Sequence, residues 1–385
     1  MESVGIIAEY NPFHNGHLYH LNKIKEKYPN SCIVLIMSSS FSQRGEPSII
    51  NKWEKKDIAL KAGIDIIVEL PYAFSTEAAD FFAYGAVTLL EKLKVKHLVF
   101  GSETNDINKF NILVDTQLNN EEFDKLAKIY MKMGDNYPTS LSKSLLDLTG
   151  KNMSLPNDLL GISYVKTIKK YNYNIIPECI KRTTDYHNDT INSNITSATA
   201  IRKALENNLD VSDNIPEFTK EYIKGNLHFQ NDYFKFLKYK IMQEDDINKY
   251  QTVDEGLGDK IKKEIISAKS YKELVEKIKS KRYTYNKINR MLTHILCNFT
   301  KEEKSIMKEI EYIRILDFSE NGKKYLNEIK KSVDIPIITN FSKSKSKMLD
   351  LEFRATCAYA SILNEKDKKE LIEKEYKSYP MEVKK

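Results

Sequence analysis

Four short runs early in the chain, SVGIIA, SCIVLIM, IDIIVELP and VKHLVFG, are apolar at odd and even positions alike. A strand with one wet face alternates apolar and polar residues; a strand without alternation has both faces covered. Stretches with helical spacing separate the runs. GHLYHLNKIKEKY carries Leu18, Leu21 and Ile24 on one side, and KKDIALKAG stops at Gly63. TEAADFFAYGAVTLLEKL follows, with Thr76 as its expected cap. Strand and helix in alternation predict an α/β fold, a parallel sheet with helices on both faces.

Past Gly101 the chain turns polar and helical until LPNDLLGISYVKTIKKY, a helix expected to open at Asn157 or Asp158. NIIPECIKR reads as a last strand, DYHNDTINSNITS as a polar loop and ATAIRKALEN as a short helix. NIPEF, around Pro216, marks the expected boundary. Residues 1–212 form the sheet domain, and residues 213–385 a mainly α-helical one in which PIIT, near residue 336, is the only clear strand-like piece.

With 41% hydrophobic and 30% charged residues the chain is neither disordered nor membrane-like. No apolar run approaches the ~20 residues of a spanning helix, and no basic segment followed by an apolar one opens the chain. Cys32, Cys179, Cys297 and Cys357 are far apart and form no CxxC pair. The expectation is a cytoplasmic protein with reduced thiols and no zinc site. Charge is unevenly spread. Lys260 to Arg290 holds eleven Lys/Arg and three Asp/Glu, a local +8 against +6 for the whole chain. Such a stretch suits a polyanionic partner, or is a solvated lysine-rich helix.

Three of the seven histidines, His14, His17 and His20, fall in GIIAEYNPFHNGHLYHL, where the first strand gives way to a helix starting near Asn15. In an open parallel sheet, ligands bind beyond the carboxyl ends of the strands. A helix N-terminus offers free N–H groups and partial positive charge, which suits phosphate. Gly16 is expected to let a ligand approach the backbone. Two imidazoles there can donate to phosphate oxygens and stabilise charge that develops on them. A metal is the rival reading of His14 and His17, but no third ligand stands at the expected spacing and there is no HExxH arrangement.

FHNGH resembles the HxGH motif of the nucleotidyltransferase superfamily, NPFH is similar to its DPxH variant, and ITSATAIR (Ile195 to Arg202) resembles its ISSTxIR motif. SSSFSQRGEPSIINKWEK, DIIVELP, VFGSE, PNDLLGISYVK, IKRTTDYHN, DEGLGDKIKKEI and KSKRYTYNKINRMLTHIL narrow the likeness. Together they resemble the bacterial tRNA(Met) cytidine acetate ligase family, over residues 1 to about 300 and more weakly to about 362. The resemblance implies a Rossmann-like, HUP-type nucleotidyltransferase domain. It also implies ATP and acetate as substrates, acetyladenylate as intermediate, and transfer of acetyl to the exocyclic amine of the wobble cytidine in elongator tRNA(Met). No obligate protein partner and no membrane is implied.

Carried onto this chain, His14 and His17 handle the phosphates. The backbone of Ile7, Ala8, Glu9, Tyr10, Asn11, Pro12 and Phe13, continuing through Asn15, Gly16, Leu18, Tyr19 and His20, wraps the ATP. Gly101 gives adenine or ribose room, Asn157 reads a base or ribose edge or caps its helix, and Arg182 pairs with phosphates. Ser197 and Thr199 cap the short helix and aim it at phosphate. Arg202 sits in that helix's first turn, within reach of the leaving group. Arg44, in QRGEP, closes over the triphosphate or meets the tRNA. Asn11 stands where many superfamily members have Asp, so Mg²⁺ is expected on the triphosphate and no side chain is named as a metal ligand.

In KIKSKRYTYNKINRMLTHIL, cations alternate with Tyr283 and Tyr285. Arg282, Lys287 and Arg290 are the expected contacts to the tRNA anticodon loop, whose unpaired bases can stack on tyrosine. Either tyrosine can instead fill the helical core. SKSKSKM, Ser342 to Met348, is like the KMSKS loop of synthetases only on the surface, having the wrong order and place. An adenylyltransferase acting on a small molecule would leave the basic helical part idle. A silent RNA-binding protein would not need two intact motifs.

Overall fold

The computed structural model describes residues 1–182, 195–254, 256–378 and 380; most of the DYHNDTINSNITS loop lies outside them. Seven strands make one sheet: β1 (Ser3–Ala8), β2 (Cys32–Ser38), β3 (Ile66–Leu70), β4 (His97–Ser102), β5 (Ile176–Lys181), β6 (Ile313–Phe318) and β7 (Ile337–Ile338). Their order is β5-β4-β1-β2-β3-β6-β7. The first five strands pair in parallel, with Val4 opposite Ile33 and Phe100 opposite Cys179. Every residue of β2 and β3 is buried, so both faces are covered, as the unbroken apolar runs require. The chain runs from β1 through β2 to β3, then crosses back to place β4 on β1's other side. The loops after β1 and β4 therefore flank the point where strand order reverses, the usual place of a ligand crevice.

Two helix starts differ from expectation. Thr76 ends the short helix Tyr72–Ser75, and the long helix Ala79–Lys92 begins after Ala78. Pro156 opens the helix Pro156–Lys170 behind Leu155, so Asn157 and Asp158 lie inside its first turn. Proline suits that position because its missing N–H would have no helical partner.

The strand IRILDF, β6, carries no clear pattern in sequence because Arg314 and Asp317 interrupt it. It pairs antiparallel with β3, and β7 pairs parallel with β6. The sheet is thus completed from the far end of the chain, and PIIT is not the only strand there. Helices between Phe234 and Leu296 build a separate core from Leu237, Ile241, Tyr250, Ile261, Leu274, Ile288, Leu292 and Ile295. The flanking residues Tyr233 and Cys297 belong to the main core. This helical module is inserted into the sheet-bearing body.

A buried ion network seals the seam. Glu69 on β3 stands opposite Arg314 on β6. Arg314 Nη1 lies 2.6 Å from Glu69 and 2.5 Å from Glu375, and Lys52 Nζ lies 2.7 Å from each carboxylate. Burial pushes the Glu69 carboxyl up, but Arg314 and Lys52 outweigh it and hold it below the usual range. Glu352 accepts from the Tyr72 N–H and from Ser39 Oγ. Burial, then the charge of Glu69, pushes its carboxyl up to about 7. Through Glu375 the C-terminal helix Glu365–Lys377 is fastened to the sheet.

Candidate active site

Beyond β1 the backbone turns at Tyr10, whose φ is 47°, and α1 (Asn15–Lys27) begins. His14 is its N-cap. Its Nδ1 accepts from the Gly16 N–H at 3.0 Å, and His17 Nδ1 accepts from the His14 N–H at 3.3 Å. The two imidazoles form a capping box, the arrangement usually made by Ser/Thr and Glu three residues later. That geometry accounts for the histidine spacing. The rings stack with centroids 3.8 Å apart. Gly16 gives the cap room, since a Cβ there would lie 2.9 Å from His14 Cε1.

A neutral imidazole that accepts at Nδ1 carries its proton on Nε2 and donates there. Both rings are held neutral. Burial first, then Arg182 and Arg202, lowers His14 to about 3. Burial, His14 and Arg182 hold His17 well below its ordinary value. His20, lowered to about 4 by burial and Arg182, has a buried Nε2 with no hydrogen-bond partner among the described residues.

A cleft of about 1370 Å³ opens beside this cap. Of the residues expected around the ATP, it is lined by Ile7, Ala8, Glu9, Tyr10, Asn11, Gly16, His17, Tyr19, His20, Gly101, Asn157 and Arg182, together with Arg44 and Arg202. The others support it from behind. His14 is only 3% exposed and Pro12 and Phe13 are buried, Phe13 with its ring against Tyr10 and Phe218. Leu18 packs on the core. Asn15 turns to the carbonyls of Asp213 and Asn214. Ser197 caps the helix Ala198–Glu206, and Thr199 Oγ1 accepts from Arg202.

Several roles change in detail. Asn11 Oδ1 accepts from the Ile49 N–H at 2.7 Å and its Nδ2 donates to the Pro47 carbonyl, so its amide ties two loops together. A carboxylate could not make the second bond. Among the described residues no group of three or more His, Cys, Asp or Glu is placed to hold a metal ion. Asn157 donates to Glu103 at 2.5 Å, and Glu103 also receives the Asp158 N–H, so Glu103 caps the helix. The space beside Gly101 is filled by the aliphatic part of Arg182, 3.3 Å from a Cβ built there. Arg202 lies in the second turn of its helix. It donates to the Asn11 carbonyl at 2.9 Å and to Glu46 at 2.6 Å, bridging the histidine loop and the QRGEP loop. Glu103 ends the VFGSE segment and Glu46 lies in QRGEP, so both stood in segments that carry the resemblance, but nothing in sequence links Glu46 to Arg202 or Glu103 to Asn157.

The chain matches the model of the HIGH nucleotidyl transferase family over residues 1–375. It is 41% identical to the tRNA(Met) cytidine acetate ligase of Anoxybacillus flavithermus, over 99% of this chain and all of that protein. With the same enzyme of Geobacillus sp. strain WCH70 the identity is 39%, over 99% and 100%. The chain belongs to the tRNA(Met) cytidine acetate ligase family. Solved structures agree: apo Thermotoga maritima TmcAL superposes with a TM-score of 0.92 at 30% identity, covering both chains fully. TmcAL bound with alpha-thio ATP gives 0.87 over 96% of each.

In this member of the acetate ligase family, Arg282, Lys287 and Arg290 all reach the same cleft. Arg290 donates to the Gln43 carbonyl, and Gly45, at φ +78°, fits against the helix Tyr285–Leu296. A Cβ on Gly45 would lie 2.3 Å from the Arg290 backbone nitrogen. Only glycine tolerates both that angle and that contact. The two tyrosines divide. Tyr283 packs in the module core with Lys287 over its ring, and Tyr285 is exposed. The cleft lining counts ten Lys/Arg against five Asp/Glu, which favours a polyanion. No helix of the described residues is long and apolar enough to cross a membrane.

Proposed function

We propose that this protein is an ATP-dependent ligase that makes N4-acetylcytidine at the wobble position of elongator tRNA(Met). An acetate oxygen attacks the α-phosphorus of ATP, the bond to the β-phosphate breaks, and pyrophosphate leaves. The cytidine N4 amine then attacks the acetyl carbonyl, and AMP leaves as the amine loses a proton. Catalysis of the first step is placement and charge stabilisation. His17 donates its Nε2–H to the phosphates, His14 fixes that ring, Arg182 adds a cation, and Mg²⁺ arrives bound to the triphosphate. The helical module holds the tRNA, and the work takes place in the cytoplasm without an obligate protein partner.

One observation carries this reading: a single cleft joins the histidine cap to the basic edge of the inserted module. The full-length likeness to named acetate ligases supports the acceptor. Incubation with ATP, radiolabelled acetate and bulk tRNA is expected to label the tRNA. Pyrophosphate release with another acid and no label in tRNA would favour a small-molecule adenylyltransferase instead.

Two further outcomes are expected. Arg282→Ala raises KM for tRNA and reduces the salt slope of binding by about 1, leaving KM for ATP unchanged. Equal loss of both affinities overturns the division of labour. Because the imidazoles are neutral in the free enzyme, kcat/KM for ATP does not fall as pH rises through 6.5. A mechanism needing an ordinary imidazolium would lose activity there, which a profile from about pH 5.5 to 8.5 detects.

A further inference from the structure

The cleft exceeds the ~300–1,000 Å³ common for small-ligand sites. Its surplus is a wall of exposed rings and apolar chains. Phe81 is 49% exposed and Tyr137 53%, with Met131 and Tyr171 also open to solvent. They come from three places: the helix Ala79–Lys92, the helical segment between β4 and β5, and the end of Pro156–Lys170. Lys304 Nζ stands 4.8 Å from the Phe81 ring centroid, and Tyr84 meets Tyr171 at 5.1 Å. Several large apolar side chains left open to water in one cleft mark a docking site. The same cleft carries Arg282, Lys287 and Lys308.

We propose that this wall receives the unpaired nucleotides beside the target cytidine, with Phe81 and Tyr137 stacked on their bases. The inference rests on the tRNA reading above. A cytidine whose amine is to react must leave its stack, and its neighbours then lose a partner that an aromatic ring replaces. Stacking accepts any base, because every base has a π-face. Lys304 at the Phe81 ring, with Arg282, Lys287 and Lys308 elsewhere in the same cleft, matches a phosphate backbone running beside bases. An acidic peptide would use the cations and leave the rings uncovered, and a bilayer surface does not enter a concave site.

The test is steady-state acetylation with transcribed elongator tRNA(Met), alongside acetate-dependent ATP–pyrophosphate exchange. Both side chains are exposed, so the variants are expected to fold. Phe81→Ala and Tyr137→Ala each raise KM for tRNA by about tenfold, while KM for ATP in exchange stays within about twofold. Phe81→Trp and Tyr137→Phe retain the wild-type KM for tRNA. Unchanged KM for tRNA in both alanine variants overturns the proposal. So does an equal loss in exchange, which would assign the wall to the adenylation half. Failure of the aromatic replacements to rescue also overturns it, since filling rather than stacking would then matter. If the wild-type protein labels no tRNA, the acceptor reading itself fails, an outcome distinct from these.

Discussion

Replacing His17 with alanine is expected to slow acetate-dependent ATP–pyrophosphate exchange by about 10²–10³-fold, the usual cost of removing one preorganised donor to developing charge. The His17 Nε2–H is such a donor. The His14 N–H holds its Nδ1, the His14 ring stacks on it, and the ring faces the cleft. The same substitution removes half of the capping box, a loss of about 0.5–2 kcal/mol in stability. His17→Gln separates the two effects. Glutamine at N3 can accept from the cap amide, so the helix start survives, but its side-chain donor lies elsewhere and exchange remains slow. Exchange in His17→Ala within about tenfold of wild type would remove this ring from the chemistry. His14→Ala is expected to lose stability as well as rate, because its ring stands behind the cleft and builds the cap.

Much of this was legible in the sequence, for reasons that vary by element. β1 to β4 stood out because a strand covered on both faces cannot alternate, as β2 and β3 show in full. Helix α1 stood out because its start carries a local motif. β6 did not, since Arg314 and Asp317 make it look amphipathic and nothing in the chain announces that Glu69, 245 residues earlier, will pair with Arg314. The site was half legible. Local spacing revealed the histidines, and the resemblance named Arg182 and Asn157. The partners that fix their roles are distant: Glu103 for Asn157, Glu46 for Arg202, Pro47 and Ile49 for Asn11. Gly16 and Gly101 were read as space for a ligand, but space in sequence has no owner. In the fold it belongs to His14 and Arg182. The open aromatic wall was invisible because Phe81 and Tyr137 sit in helices whose exposed faces only the packing reveals.

Arg314→Met is expected to cost about 3–5 kcal/mol of folding stability, the usual result of stripping one partner from a buried ion pair. Glu69 and Glu375, both fully buried, would then share Lys52 alone. The loss depends on pH, and its sign follows from the carboxyls. Without Arg314 the burial of Glu69 is opposed by Lys52 alone and its folded-state pKa rises, as that of Glu352 already has. A carboxyl raised above its unfolded value adds stability that is complete below the unfolded pKa and is lost as pH rises through the folded one. The variant's deficit is therefore larger at about pH 8 than at about pH 5.5, as urea unfolding at the two pH values would measure. Adding Glu69→Gln is expected to restore part of the loss, because an amide does not need the missing cation. If the single variant stays within about 1 kcal/mol of wild type at both pH values, the carboxylates are hydrated and the seam between β3 and β6 is held by apolar packing alone. If the deficit appears but the second substitution deepens it, Glu69 owes its place to Lys52 more than to Arg314, and the helix beginning at Lys52 becomes the true anchor of the seam.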